Sequence, residues 1–462
     1  MKHERVLLSL LCFGTCAMYG LLSVLHHRHF GTYAYDLGIF DQAIWNVGRL
    51  HAPTSDIRGL HNLLGDHFHP IIFLLSPLVA VFKSVEVLLW AQAALIALSV
   101  PAVYLAAKQQ LRAWLALGIA SAYALFWGIQ QMVFFDFHEI AFAVPLIAWA
   151  LFALQKQFWA LYVLCCLGLL FTKEDVSLLV TAFGILLIAR RQWWPGVTSV
   201  LVGLTWFEVV TRILIPHFAG GQYAHWTYNQ FGPDAVSAAS KAITHPIFTI
   251  HELFLPRTKL KTVWYLFHPW LLLPFLSPLT WLTVPLIVAR FFGQVPAWWT
   301  TGFHYNASIA PILAVAAAGG LRRLSGFFPK RMAVVQNGGA LAIIIVAVFT
   351  LHSFPLNNLF HLKYYQLSQS DRTGMQAVQL ISAKAPVTAQ GSIISHLSER
   401  DRIETLDHGA SGLAYLITSE NTGTYPLPDS TVVKQVLQET LAKHHYERIF
   451  NQGGWTVYRI VN

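Results

Sequence analysis

Long apolar runs joined by short basic connectors constrain this chain more than any other feature. They lie at 6–25, 84–107, 112–131, 138–155, 157–172, 175–190, 193–216, 305–321 and 331–352. A run of about 20 residues, coiled as a helix, crosses the roughly 30 Å hydrocarbon core of a bilayer. Only 11% of the 462 residues are charged, against about 25% in soluble domains, so most of the chain cannot face water. The expected fold class is mainly α: a polytopic transmembrane helical bundle over residues 1–354, with about ten to eleven spans. A small soluble α/β domain is expected over 355–462.

The stretch 263–290 is apolar but carries Pro269, Pro274, Pro278 and Pro285. It is too long for one span and short for two, and reads as two short or broken helices meeting near Ser277-Pro278. Broken helices survive at membrane depth only where protein or a cavity re-satisfies the freed backbone. The first run follows Lys2 and Arg5 but lacks a small-x-small cleavage site, so it reads as an uncleaved first span. The four cysteines all lie inside apolar runs and match no disulfide or zinc pattern.

The formal charge of +9 sits in short clusters between apolar runs, a mark of membrane topology rather than of nucleic-acid binding. Lys2/Arg5, Lys108/Arg112, Lys156, Arg190/Arg191 and Arg322/Arg323/Lys330/Arg331 share one face if the spans alternate. Basic density in short connectors marks the cytoplasmic side. The N-terminus is therefore expected to be cytoplasmic, with loops 26–83 and 217–262 and the C-terminal domain outside. Residues 70–82 read as an interfacial or re-entrant segment. Leu37, Phe40, Ile44 and Val47 suggest an amphipathic helix at the interface. From 355 onward, helical stretches at 367–384 and 429–444 alternate with strand-like runs near 386–390, 402–406, 413–418, 446–450 and 455–460, an α/β pattern.

On this topology 20 of the 21 histidines, all but His3, fall outside or at the outer membrane edge. Clusters there include Asp36 to Gln42, Asp66-His67-Phe68-His69, Asp136-Phe137-His138-Glu139, Lys173-Glu174-Asp175 and His304-Tyr305. Ionisable groups at membrane depth are costly and face a cavity or a partner, so five clusters on one face imply a shared polar site. Asp36 and Asp41 are the candidate catalytic carboxylates, suited to taking a proton from an attacking hydroxyl. Their spacing puts them about 140° apart on an ideal helix, and Asp36 also reads as a helix N-cap. Asp66, His67, His69, Asp136 and His138 have the chemistry of a divalent-cation site, or of hydrogen-bonded interfacial histidines. Lys173, Glu174 and Asp175 read either as a self-neutralising turn or as a buried network that orients substrate. Arg257 and Arg290, which flank the broken helices, suit a lipid phosphate or simply snorkel. His304 and Tyr305 join the candidate substrate-binding set.

These segments, with Ser395-His396-Leu397-Ser398, resemble the bacterial and archaeal membrane proteins of the domain-of-unknown-function 2079 family across nearly the whole chain. The family often has Pro where Glu139 stands. That family is in turn similar to the C-type-fold membrane glycosyltransferases. The resemblance implies a polyprenyl-phosphate-linked sugar donor in the membrane lipid and inverting transfer to an extracytoplasmic acceptor (glycan, lipid or protein). Asp36 takes the position of the catalytic acid. A transporter for an ion or small polar solute is the alternative reading, because broken helices also mark transporters. A third reading makes the outer domain a binding module anchored by the spans.

Overall fold

The computed structural model describes residues 2–408 and 411–461. Among the described residues, five helices are long and apolar enough to cross a membrane: His3–Arg28, Glu86–Lys108, Ala113–Phe135, Trp193–Ala219 and Pro329–Ser353. The first is α1 (Lys2–Arg28), and α4 (Glu86–Lys108) packs against both α1 and α7 (Ile140–Lys156). The third bends between α5 (Ala113–Ala124) and α6 (Trp127–Phe135), where Phe126 takes an extended conformation. Shorter helices complete the bundle: α8 (Trp159–Leu170) and α9 (Ser177–Ala189), the latter against α10 (Trp193–Val209). Glycine sets the approach of that last pair. A Cβ on Gly184 would sit 2.6 Å from the Gly196 carbonyl oxygen, so the backbones meet as small residues allow in membranes.

The proline-broken stretch is a pair of interrupted helices. Helix Arg257–Phe267 runs into short 3-10 turns as far as Leu276, the chain reverses at Ser277, and helix Val284–Phe292 completes the return. The freed backbone finds protein partners. Ser277 Oγ accepts from the Leu279 amide and Thr280 Oγ1 donates to the Pro274 carbonyl. The hairpin lies flush on helix Ala310–Gly326, where Gly320 leaves no room for a Cβ against the Leu273 carbonyl.

The first outer loop differs from the sequence expectation. Helix α2 (Ile39–Gly48) buries most of its circumference, Asp41, Gln42 and Asn46 included, rather than lying half-exposed at an interface. It packs on α3 (Ser76–Phe82) on one side and meets the C-terminal domain on the other. Each of its polar groups has a partner there or in the loop: Ser398 Oγ donates to Asp41 at 2.7 Å, and Gln42 donates to the Arg400 carbonyl at 3.2 Å. Asn46 donates to Thr54 Oγ1 at 2.9 Å.

The C-terminal domain carries a five-stranded sheet ordered β2-β1-β3-β5-β4, of strands β1 (Val387–Ala389), β2 (Ile403–Thr405), β3 (Tyr415–Ser419), β4 (Tyr446–Gln452) and β5 (Trp455–Ile460). β1 runs parallel to β2 and β3, while β5 is antiparallel to both β3 and β4. Helix Gln369–Gln379 opens on a capping box of Ser368 and Asp371, and helix Ser430–Lys443 opens on Asp429. The core under the sheet is continuous with the first outer loop: Leu37, Phe40 and Ile44 share a cluster with Ile393, Ile394 and Trp455. The Ser395–Ser398 motif is the seam. Ser395 bonds Thr32 at 2.8 Å, and His396 stacks on His27 at 3.9 Å. His29 reaches Asp371 at 2.8 Å, so His27 within α1 and His29 just past its end both dock the domain.

Candidate active-site cavity

The polar clusters of one face surround a cavity of about 400 Å³. Its wall is assembled from the loop after α1, residues 58–69, the α6–α7 and α8–α9 junctions, the second outer loop and the segment around His304, with Tyr425 added by the C-terminal domain. Of the residues named from sequence, Asp36, Asp66, His67, His69, His138, Lys173, Glu174, Asp175, Arg290, His304 and Tyr305 line it.

Asp36 is held in an unusual backbone conformation, φ 97° and ψ −86°. Strain of this kind persists only where the surroundings over-determine it. Here Asp136 accepts the Tyr33 amide at 3.1 Å, and the Gly38 amide returns to the Tyr33 carbonyl at 3.2 Å. Asp36 is no helix cap. Gly38 takes that position, without a side-chain bond. A quarter of the Asp36 side chain is exposed, and Oδ1 lies 4.0 Å from His138 Nε2. Burial pushes its carboxyl up, and the His138 charge pulls the other way.

His138 is oriented from two sides. Gln92 of α4 accepts its backbone amide at 3.1 Å and donates to the Asp136 carbonyl at 2.9 Å. Glu139 sits 2.9 Å from Nδ1, and Lys173 Nζ lies 3.0 Å from the other Glu139 oxygen. Burial alone would raise the Glu139 carboxyl; the His138 and Lys173 charges outweigh it and hold the group well below the usual range. The His304 ring stacks on His138 with centroids 3.4 Å apart. Burial, then the His138 and Lys173 charges, keep the His304 imidazole well below its usual pKa. One ligand atom each from Asp36, His138 and His304 lies within 4.8 Å of the others.

A second cluster lines the same cavity. Asp66 is paired with Arg58 at 2.7 Å and His225 at 3.0 Å. His67 Nδ1 meets Glu174 at 2.6 Å, and the His67 ring stacks on His225. Glu174 also accepts from Tyr223 at 3.1 Å and from the Phe68 amide at 3.3 Å. These groups are occupied with one another and tie the two long outer loops together. The five-residue cation set expected from sequence therefore does not converge: only His138 of that set belongs to the group whose ligand atoms meet. His69 lines the wall with neither ring nitrogen hydrogen-bonded among the described residues, and burial lowers its pKa to about 4.

Three sequence candidates lie outside the cavity wall. Asp41 lies on α2 in the seam, where it accepts from Ser398. Asp136 sits behind the wall, bracing the Asp36 loop. Arg257 is exposed at the start of its helix. Arg290 does line the cavity, where its guanidinium donates to the Trp298 and Tyr305 carbonyls and to Asn306, all neutral acceptors. Sequence reasoning missed Arg58, Tyr223 and His225 as wall residues and Gln92 as the brace. A lone Gln inside an apolar run was the available signal for the last.

Residues 26–460 match the family described as predicted membrane protein DUF2079. ArnT from Cupriavidus metallidurans, in a crystal structure bound to undecaprenyl phosphate, aligns with a TM-score of 0.55 and 13% identity over 98% of each chain. The archaeal oligosaccharyltransferase AglB from Archaeoglobus fulgidus, in complex with an inhibitory peptide and a dolichol-phosphate, aligns with a TM-score of 0.46 and 10% identity, over 98% of this chain and 74% of that one. No curated protein matches the chain. The fold is that of the C-type membrane glycosyltransferases.

Proposed function

We propose, for a chain that belongs to the DUF2079 family of membrane proteins, transfer of a sugar from a polyprenyl-phosphate carrier to a hydroxyl acceptor on the non-cytoplasmic side of a prokaryotic inner membrane. The observation that carries this reading is the cavity in which strained Asp36 faces His138 and His304, with Arg290 on the same wall. Fold-level likeness to ArnT, a protein solved with undecaprenyl phosphate, supports the substrate class by analogy alone.

Asp36 is the general base. As the acceptor oxygen forms its bond to the anomeric carbon, the carboxylate takes the hydroxyl proton, and the carbon–oxygen bond to the carrier phosphate breaks on the opposite face. A carboxyl raised by burial is the stronger base for that step. The phosphate leaves toward Arg290, which has no carboxylate among its hydrogen-bond partners, and a cation in a water-poor pocket stabilises developing negative charge more than in water. Lys173 is a positioning residue: its ion pair with Glu139 fixes the carboxylate that orients His138.

The donor set also suits a divalent cation. Glu139 at Nδ1 leaves His138 Nε2 directed at Asp36, and a carboxylate behind a ligating imidazole is the usual supporting arrangement. His304, kept neutral by burial, has its Nδ1 unpartnered among the described residues. Asp36, His138 and His304 would hold the ion, which when bound would neutralise charge on the carrier phosphate. The test is a transfer assay in detergent with a panel of polyprenyl-phosphate sugars, with and without EDTA. Transfer that falls at least 100-fold in Asp36→Asn, a size typical of a lost general base, is the expected result. Unchanged transfer in that variant would remove Asp36 from the chemistry. Folded protein that transfers none of the sugars but takes up solute in proteoliposomes would replace the enzyme with a transporter.

A further inference from the structure

On the face opposite the active-site cavity, a second concavity of about 480 Å³ opens among the ends of α4, α7 and α9, helix Ala310–Gly326 and the Ser277-Pro278 reversal. Among the described residues its wall holds Arg190, Arg322 and Arg323, five glutamines and no carboxylate. Four helix C-termini end here at about −0.5 charge each and the N-termini of α8 and α10 at about +0.5 each, so with three guanidiniums the net is roughly +2. The arginines are only partly engaged: Arg323 makes a 3.4 Å bond to the Leu276 carbonyl. Gln155 Oε1 is buried without a hydrogen-bond partner among the described residues.

This concavity continues into an apolar one. Trp159 and Gln192 line both it and a groove of about 400 Å³ between α8 and α10. Along α8 the groove follows Trp159, Tyr162, Val163, Cys166, Leu167 and Leu170. At 1.5 Å per residue this stripe is about 16 Å long, the depth of one leaflet of a hydrocarbon core of about 30 Å. Its rim faces outward from the bundle: Val163 is 52% exposed, and Trp194, at the polar end, is 85% exposed. Tryptophans at that level mark the membrane–water boundary.

We propose that the two cavities form one site for an anionic phospholipid of the leaflet on the basic face. The phosphodiester sits among Arg190, Arg322 and Arg323, the glutamine amides donate to the phosphate and glycerol oxygens, and one acyl chain lies in the α8–α10 groove. The net positive charge of the pocket suits an anionic headgroup, and the groove supplies the depth for one chain. The site is separate from the sugar-transfer cavity, because its lining shares no residue with that wall.

Native mass spectrometry of the full chain, delipidated and then supplied with phosphatidylglycerol, phosphatidylcholine or inorganic phosphate, tests this. Wild type is expected to retain phosphatidylglycerol about tenfold over phosphatidylcholine, a difference of about 1.4 kcal/mol. The exposed-residue variant Arg190→Gln/Arg322→Gln/Arg323→Gln is expected to retain the two equally. Val163→Trp, which fills the groove and leaves the arginines, should lower retention of both lipids. Equal retention in wild type, or an unchanged preference in the triple variant with an unchanged melting temperature, overturns the headgroup assignment. Unchanged retention in Val163→Trp overturns the chain assignment. Displacement of phosphatidylglycerol by equimolar inorganic phosphate would make the pocket a free-phosphate site and overturn the lipid.

Discussion

The two polar clusters that line the candidate cavity use the same residue types to opposite ends. In Asp66, His67, Glu174 and His225 every side chain has a charged or hydrogen-bonding partner within 3.0 Å. In Asp36, His138 and His304 the nearest approach of Asp36 to His138 is 4.0 Å, and the histidine rings stack rather than bond. The first arrangement closes on itself and holds two loops together. The second leaves acceptor atoms directed at a common point. An aspartate and two histidines in a cavity do not by themselves make a reactive site; what matters is whether neighbouring side chains have already satisfied them.

The contrast is sharpest in paired substitutions. His304→Ala should abolish stoichiometric binding of a divalent cation in calorimetry and lower transfer by more than 100-fold, with little change in melting temperature. A variant that binds cation as wild type does would dissolve the proposed centre. Glu174→Gln should do the reverse. Breaking a buried ion pair from one side costs about 3 kcal/mol, read as a drop in melting temperature, with measurable transfer remaining.

The same clamp has a pH signature. Burial would raise Glu174, but His67 beside it lowers the carboxyl to about 2, so its contribution is present above the ordinary carboxylate range and is lost as pH falls toward 2. Burial would lower His67, but the Glu174 charge raises it, so that contribution is full below its ordinary pKa and fades as pH rises through the elevated one. Thermal stability in Glu174→Gln should be flatter than wild type at both ends, and parallel curves would remove the pair from the stability of the fold.

Smaller effects are expected further from the centre. Arg290→Met should weaken donor binding about tenfold, seen in KM for the carrier lipid, since one charged hydrogen-bonding contact is worth roughly 1.5 kcal/mol. Asp41→Asn should leave transfer within about threefold, because surface and seam substitutions away from the chemistry cost little in rate. A loss as large as that of Asp36→Asn would place Asp41 back among the catalytic groups.

Membrane depth is a local property of sequence. A run of about 20 apolar residues or a proline every few positions can be read without knowing its neighbours, and the strand–helix alternation after 355 is equally local. Hence the helical membrane class, the break at Ser277-Pro278 and the α/β character of the C-terminal domain were legible. So was the concentration of polar groups on one face, because short connectors between spans leave their ends only two places to go.

Partner choice is not local. Asp36 and His304 are 268 positions apart, and nothing between them states that their ligand atoms converge; packing of α6, α7 and the segment before helix Ala310–Gly326 decides it. Asp66 and His67 looked the better ligands, yet the fold carries His225 and Glu174 to them and neutralises both. Helix α2 looked interfacial, because a sequence pattern records an apolar face but not that residues 357 and 358 positions later cover the polar one. The chain alone determined that it folds as a helical membrane protein, since that depends on free energy per residue. Only the tertiary structure decided which carboxylates and imidazoles remain free to act, because that depends on who stands within 3 Å.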